Sequence, residues 1–201
     1  YAAGVIKLED LLKASYQRGL LMEKAGRPGG GMLAVMGSAE RVDEILRKEG
    51  LNAKIANYNG PDQVVVGGAT AELEKLKQLL RAQRISSKSL EVSTAFHTEY
   101  VSEAASVFDT WLASNVVFGT SQIPVYSNLL ATVYPPEKAR ETLSAQLGAS
   151  VRFHEMLTAM QEDHPATLVE IGPGRKIHGL LIATDAKALS LDSDSRGSVL
   201  G

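Results

Sequence analysis

The sequence predicts an α/β protein with a small inserted subdomain, and two observations carry this prediction. Between residues 32 and 92, strand-like and helix-like segments follow one another in the order β-α-β-β-α-β, which is the split βαβ arrangement of a ferredoxin-like subdomain. Amphipathic helices and short apolar strands flank this unit on both sides. With 201 residues, the chain is long enough for one domain with such a subdomain.

Composition excludes several classes of function. Hydrophobic residues make up 44% of the chain and charged residues 22%, as in an ordinary soluble globular protein. The net charge of −2 gives no electrostatic case for binding nucleic acid or an anionic membrane. Cysteine is absent, which excludes disulfides and thiolate metal sites, and no spanning segment or signal peptide is visible. We therefore expect a cytoplasmic protein.

The elements of the small subdomain have recognisable ends. A strand at 32–37 leads to Ser38, a good N-cap for a helix that Gly50 ends. Strands at 54–58 and 63–66 flank a turn, and Thr70 is the predicted N-cap of a helix to about residue 83. A last strand is expected at 85–92. The glycine-rich loop at 25–31 lacks the Gly-Lys-Ser/Thr of a phosphate loop and leads into a strand, which indicates a hinge.

The first helix, at about 8–23, has apolar residues at helical spacing, and we expect these to face the core. They are Leu8, Leu11, Leu12, Tyr16 and Leu20. Arg18 follows Leu11 by seven residues and so lies at the edge of this stripe. A guanidinium there either extends to solvent or meets a carboxylate, and the spacing alone leaves both open.

His97 is the candidate catalytic residue, because residues 93–100 join a strand-like run to a helix-like run. A histidine held at such a junction is well placed for general acid–base chemistry. The alternative is a helix-entry histidine without a task. The other histidines lack metal-ligand spacing: His154-Glu155 begins like a zincin helix, but residue 158 is Thr, so we predict no metal site.

Seven segments, in this order, resemble the malonyl-CoA:acyl carrier protein transacylases and the acyltransferase domains of modular polyketide and polyunsaturated fatty acid synthases. The resemblance runs from Ala2 to about Ala183, and the ordered series is far more specific than any single piece. The segments are 17–22, 30–35, 55–59, 63–68, 95–98, 124–128 and 169–174.

The resemblance implies a fold and an organisation. The fold is a partial α/β-hydrolase-like acyltransferase subdomain with the ferredoxin-like subdomain inserted. Residues 1–30 and 94–186 would form the larger subdomain, 31–93 the insert, and 187–201 the start of a linker. Neighbouring synthase domains are implied partners.

The resemblance also implies a chemistry. The family transfers a malonyl group from coenzyme A to the phosphopantetheine thiol of an acyl carrier protein, through a serine ester formed with help from a histidine. It implies malonyl-CoA and an acyl carrier protein as partners, and no bound cofactor.

Five residues receive roles from the resemblance. His97 matches the catalytic histidine, and Gln146 the residue whose backbone carbonyl orients it. Arg18 matches the arginine that binds the malonyl carboxylate, and Asn128 an asparagine near the active site. Phe96 resembles the residue that selects malonyl over methylmalonyl groups. Surface or strand-end capping stays open for Gln146 and Asn128, and packing between subdomains for Phe96.

The nucleophile itself departs from the family pattern, since the 201 residues contain no Gly-x-Ser-x-Gly. Residues 1–5 resemble the helix after that elbow, so we expect the serine about eight residues before Tyr1 and the chain to be the C-terminal portion of an acyltransferase, which pairs with its N-terminal portion. The competing interpretation is a non-catalytic docking module of a multidomain synthase. A generic hydrolase is less favoured, because Arg18 suits an acyl group with a free acid.

Overall fold

The computed structural model describes residues 1–26, 28–172, 177–182 and 187–191. The helices are α1 (Leu8–Ala25), α2 (Ala39–Lys48), α3 (Thr70–Ala82), α4 (Ser102–Asn115), α5 (Ala139–Ala145), α6 (Phe153–Asp163) and α7 (His178–Ile182). The strands are β1 (Gly30–Val35), β2 (Lys54–Gly60), β3 (Gln63–Ala69), β4 (Ser87–Ser89), β5 (Tyr126–Ser127), β6 (Thr132–Val133), β7 (Leu168–Glu170) and β8 (Ala188–Ser190). Short 3₁₀ turns at Glu99–Val101 and Pro136–Lys138 lead into α4 and α5.

Strands β1 to β4 form one antiparallel sheet, here called the small sheet, with the strand order β2-β3-β1-β4. Helices α2 and α3 cover one face and close a core that includes Leu33, Val42, Val64, Leu76 and Leu80. This β-α-β-β-α-β order confirms the ferredoxin-like arrangement and the α/β class.

The opposite face of the small sheet is also buried, and this face meets the rest of the chain. Met32, Ala56 and Val65 form a second cluster there, with Phe96 packed against it. Burial on both faces explains why β3 is a nearly continuous buried apolar run and not an alternating one.

Several elements differ from the sequence-based expectation in extent. Strand β4 has three residues where eight were expected, and β5 has two where six were expected. The predicted helix start after His97 is first a 3₁₀ turn. Propensity alone does not set these ends, since a strand continues only where a neighbouring strand supplies hydrogen bonds.

The prediction that the apolar stripe of α1 faces the core is wrong. Leu12 is 63% exposed and Tyr16 70% exposed, and Leu8 and Leu20 are exposed as well. The helix instead packs on α4 through a face that includes Ala14 and Met22. Apolar periodicity identifies the helix, but it cannot say which stripe finds a partner among the described residues.

The C-terminal part contains a short parallel pair, β7 with β8. The predicted start of the linker at residue 187 therefore precedes a paired strand, while residues 192–201 of that linker lie outside the described residues. The predicted turn at 172–174 also lies largely outside them. Among the helices of the described part, none combines the length and apolarity needed to cross a membrane.

Candidate active site

His97 occupies a constrained turn. Its φ of 59° lies in the left-handed region, where a non-glycine side chain is uncommon and costs energy. The buried Thr98 holds the turn in place: its hydroxyl donates to the Ala95 carbonyl at 2.6 Å and accepts from the Tyr100 amide at 3.2 Å. Such a conformation persists only where its surroundings determine it, and it is characteristic of functional positions.

Two glycines of the small sheet let this turn approach closely. A Cβ added at Gly67 on β3 would lie 2.9 Å from Cγ2 of Thr98. One added at Gly30 on β1 would lie 2.9 Å from Cδ1 of Tyr100. Real Cβ atoms do not come this close. The turn at residues 95–100, here called the histidine turn, can therefore lie against the sheet only if these two positions are glycine.

The ring of His97 is oriented by the main chain that follows α5. Its Nδ1 lies 3.1 Å from the carbonyl oxygen of Gln146, which can only accept a hydrogen bond. A neutral ring that donates through Nδ1 carries its lone pair on Nε2, the nitrogen that can take a proton. Burial lowers the pKa of His97, the Gln146 carbonyl opposes this, and the charge of Arg18 lowers the pKa further.

Arg18 on α1 lies near enough to His97 for its charge to lower the pKa of the ring. The side chain is half-buried, and burial lowers the pKa of its guanidinium. Its Nε is buried without a hydrogen-bond partner, and within the described ranges no carboxylate forms an ion pair with it. Burial of a cation without a paired anion is unfavourable, and a bound anion would offset that cost.

Gln146 and Asn128 are in direct contact through their side chains. The Gln146 amide donates to Oδ1 of Asn128. The end of β5 is capped by the neighbouring Ser127, whose hydroxyl accepts from the amides of Leu129 and Leu130. The Asn128 side chain is therefore not the cap, and it lines a cavity of about 260 Å³ together with Gln146.

Phe96 packs between the two parts of the molecule. It is half-buried, and it contacts both the cluster around Met22 and Phe108 and the cluster around Met32 and Val65. These contacts support the packing role of Phe96.

Sequence reasoning missed the segment that follows Gln146, the residue whose carbonyl contacts His97. Residues 148–151 pass against the start of α4 and along the edge of β2, where Val151 forms an isolated parallel bridge with Asn57. The run of small residues Gly148, Ala149 and Ser150 was the available signal for a close approach. No group of acidic and histidine side chains that could hold a metal ion occurs in the described part of the chain.

Comparisons with known proteins identify the family of the chain. The model of the acyl transferase domain family matches residues 1–200. The chain is 33% identical, over 195 residues, to the polyketide biosynthesis malonyl CoA-acyl carrier protein transacylase PksC of Bacillus subtilis, covering 94% of this chain and 67% of that relative.

Solved structures of similar proteins have the same fold. The malonyl CoA-acyl carrier protein transacylase from Clostridium perfringens superposes with a TM-score of 0.88 at 30% identity, over 94% of this chain and 62% of that one. PlMCAT, solved as a malonyl-transacylase in complex with its acyl carrier protein AntF, gives 0.86 at 28% identity, over 96% and 64%. The chain thus spans about two thirds of the length of these proteins, and it belongs to the acyl transferase domain family.

Proposed function

We propose that this chain supplies the acid–base and carboxylate-binding residues of an acyltransferase that moves a malonyl group from coenzyme A to an acyl carrier protein. The single observation that carries the proposal is the 3.1 Å contact between Nδ1 of His97 and the carbonyl of Gln146. This contact supports the proposal because a ring that donates through Nδ1 keeps its lone pair on Nε2, where a base accepts a proton.

In the first half-reaction, Nε2 of His97 removes the proton of a serine hydroxyl as its oxygen attacks the thioester carbonyl. The carbon–sulfur bond breaks, and His97 returns the proton to the coenzyme A thiolate. The second half-reaction reverses these steps: the phosphopantetheine thiol loses its proton to His97 and attacks the serine ester, and the serine regains a proton.

The serine is proposed to lie on another segment of the same protein, since the 201 residues contain no Gly-x-Ser-x-Gly. The exposed apolar stripe of α1, which includes Leu12 and Tyr16, supports this arrangement because it offers a surface for such a segment to cover. The non-catalytic docking module remains the competing function, but it leaves the strained backbone of His97 without a purpose.

Arg18 is proposed to select the acyl group. Its planar guanidinium can pair with the free carboxylate of malonyl. Because the half-buried guanidinium gains a charge-assisted partner only from such a carboxylate, malonyl is favoured over acyl groups without a second acid. Asn128 is proposed to hold Gln146, and Phe96 to limit the space around the malonyl carbon that a methyl branch would occupy.

The test is transfer of malonyl from malonyl-CoA to a phosphopantetheinylated acyl carrier protein by the full-length protein and its His97→Ala variant. General-base removal is expected to lower the rate by about 10²- to 10⁴-fold. His164→Ala, which changes an exposed histidine at the end of α6, is the matched control and should keep the wild-type rate. A His97→Ala variant with the wild-type rate would mean that another residue is the base, whereas no transfer by the wild-type full-length protein would favour the docking module.

A further inference from the structure

Both partners of the His97–Gln146 contact rest on the same sheet. The histidine turn lies over the two central strands of the small sheet, against Gly67 and Gly30. The segment 146–151, here called the carbonyl segment, reaches the edge strand β2 of that sheet. The small sheet therefore supports the histidine turn and the carbonyl segment separately.

Three hydrogen bonds tie the carbonyl segment to β2. The Val151 amide donates to the Ala56 carbonyl at 2.8 Å, and the Val151 carbonyl accepts from the Tyr58 amide at 2.8 Å. The Ser150 hydroxyl donates to the Ile55 carbonyl at 2.7 Å. Ser150 thus contributes the one bond among the three that a side-chain substitution can remove without changing the backbone.

An irregularity in β2 accommodates this arrangement. The pairing of β2 with β3 shifts register between Ile55 and Asn57, so that Ala56 is an extra residue without a partner on β3. Successive carbonyls of a regular strand point to opposite edges, whereas those of Ile55 and Ala56 both reach the carbonyl segment. The bulge therefore presents two acceptors to one short stretch of chain.

The carbonyl segment has little room to move on its other side. A Cβ added at Gly148 would lie 3.1 Å from the Cα of Ser102, at the first turn of α4. The segment is enclosed between α4 and β2, and Ser150 stands four residues after the carbonyl that contacts His97.

We propose that the bulged edge of the small sheet sets the position of the Gln146 carbonyl against His97, and that Ser150 is a positioning residue for this pair. The role rests on the proposed function of His97 as the base. Loss of the Ser150 hydroxyl frees the carbonyl segment from Ile55, so the ring loses part of the acceptor that stabilises its charged form and its orientation.

The experiment compares Ser150→Ala with Ser150→Thr in the full-length protein, with ¹⁵N-labelled histidine. The resonances of His97 are identified by their loss in His97→Gln. Ser150→Ala should lower the pKa of His97 by about 0.3–1 unit, weaken its Nδ1–H tautomer, and reduce kcat for malonyl transfer about 3- to 10-fold with KM nearly unchanged. Ser150→Thr keeps a hydroxyl and should restore all three.

The matched control is Ser106→Ala, which removes an exposed hydroxyl that donates to a carbonyl of its own helix. It should leave the His97 titration at wild-type values. A folded Ser150→Ala variant with the wild-type pKa and tautomer of His97 would overturn the proposal. If the full-length protein transfers no malonyl, the proposed function fails, yet the ring titration still decides the role of Ser150.

A second measurement avoids the variant altogether. In the wild-type protein the amides of Val151 and Tyr58 should exchange with solvent as slowly as those of β3, because both bond across the subdomains. Exchange of both amides as fast as in an open loop would mean that the tie to β2 does not hold in solution, and the positioning role would be lost with it.

Discussion

Nδ1 of His97 and the backbone carbonyl of Gln146 lie 3.1 Å apart, although 49 positions separate the two residues in the chain. In the proposed mechanism this uncharged carbonyl takes the place that a carboxylate occupies in a serine–histidine–aspartate triad. It orients the ring without adding a negative charge, so burial is free to lower the pKa of His97.

The pH dependence of transfer should reflect the lowered pKa of His97. The base must be neutral, so kcat/KM should fall only as the pH drops below the ordinary histidine value of about 6.5. The charge of Arg18 contributes to the lowering, and Arg18→Gln should therefore move the acid limb to higher pH. Rate profiles between about pH 4.5 and 8 test this. An acid limb that does not move would mean that the two side chains do not interact.

Removal of the Arg18 guanidinium should change acyl selectivity. Arg18→Ala is expected to cost malonyl transfer roughly 1.5–3 kcal/mol, while acetyl transfer changes little, because only malonyl carries the second carboxylate. Parallel assays with malonyl-CoA and acetyl-CoA measure the ratio. Arg41→Ala, which removes an exposed arginine paired with Glu44, is the control. Equal losses for both substrates would assign Arg18 a structural role.

Substitution of Phe96 should narrow the preference for malonyl over methylmalonyl. The proposed role of the ring is to exclude a methyl branch, and accommodating an extra methyl in a packed site costs about 1–3 kcal/mol. Competition between the two thioesters, with wild type and Phe96→Ser, gives the selectivity ratio. Phe96→Leu, which keeps the apolar contact with both clusters, separates selectivity from packing. An unchanged ratio in a folded Phe96→Ser variant would leave Phe96 with packing alone.

Replacement of Gly67 on β3 should displace the histidine turn by a steric clash. In Gly67→Ala the new methyl would lie 2.9 Å from Cγ2 of Thr98, and we expect a loss of about 1–3 kcal/mol in the free energy of unfolding together with a lower kcat. Thr98→Ser removes the opposing methyl and keeps the hydroxyl, so the double variant should regain part of both.

Denaturant unfolding and transfer assays measure these effects. Gly60→Ala at the end of β2, where nothing lies within 4 Å of an added Cβ, is the control. A Gly67→Ala variant as stable and active as wild type would show that the turn does not depend on this close approach.

The 201-residue chain alone should form no acyl-enzyme with malonyl-CoA, because its sequence contains no Gly-x-Ser-x-Gly. Intact-mass spectrometry after incubation with malonyl-CoA is the measurement. Detection of a malonyl ester on a serine of this chain would contradict the proposal that the nucleophile lies on another segment, and it would identify a different nucleophile.

Much of the small subdomain could be predicted from local patterns. Helix caps, turn residues and apolar periodicity in residues 32–92 predicted the order of six elements, because these signals are carried by residues close in sequence. The prediction of the buried face of α1 failed because that face is set by an element distant in sequence. Whether Leu12 or Ala14 is buried depends on where α4 packs, and α4 begins 77 positions after α1 ends, from Ala25 to Ser102.

The sequence by itself determined the residue types at the candidate site: an imidazole at a strand-to-helix junction, an arginine at the edge of a helical stripe, and glycines where the backbone must come close. Only the tertiary structure decided which of them meet. The contact between His97 and Gln146, the bulge that presents Ile55 and Ala56 to the carbonyl segment, and the unpaired Nε of Arg18 all depend on residues distant in sequence. Periodicity and capping act over about one helical turn, whereas these contacts arise from how whole elements pack.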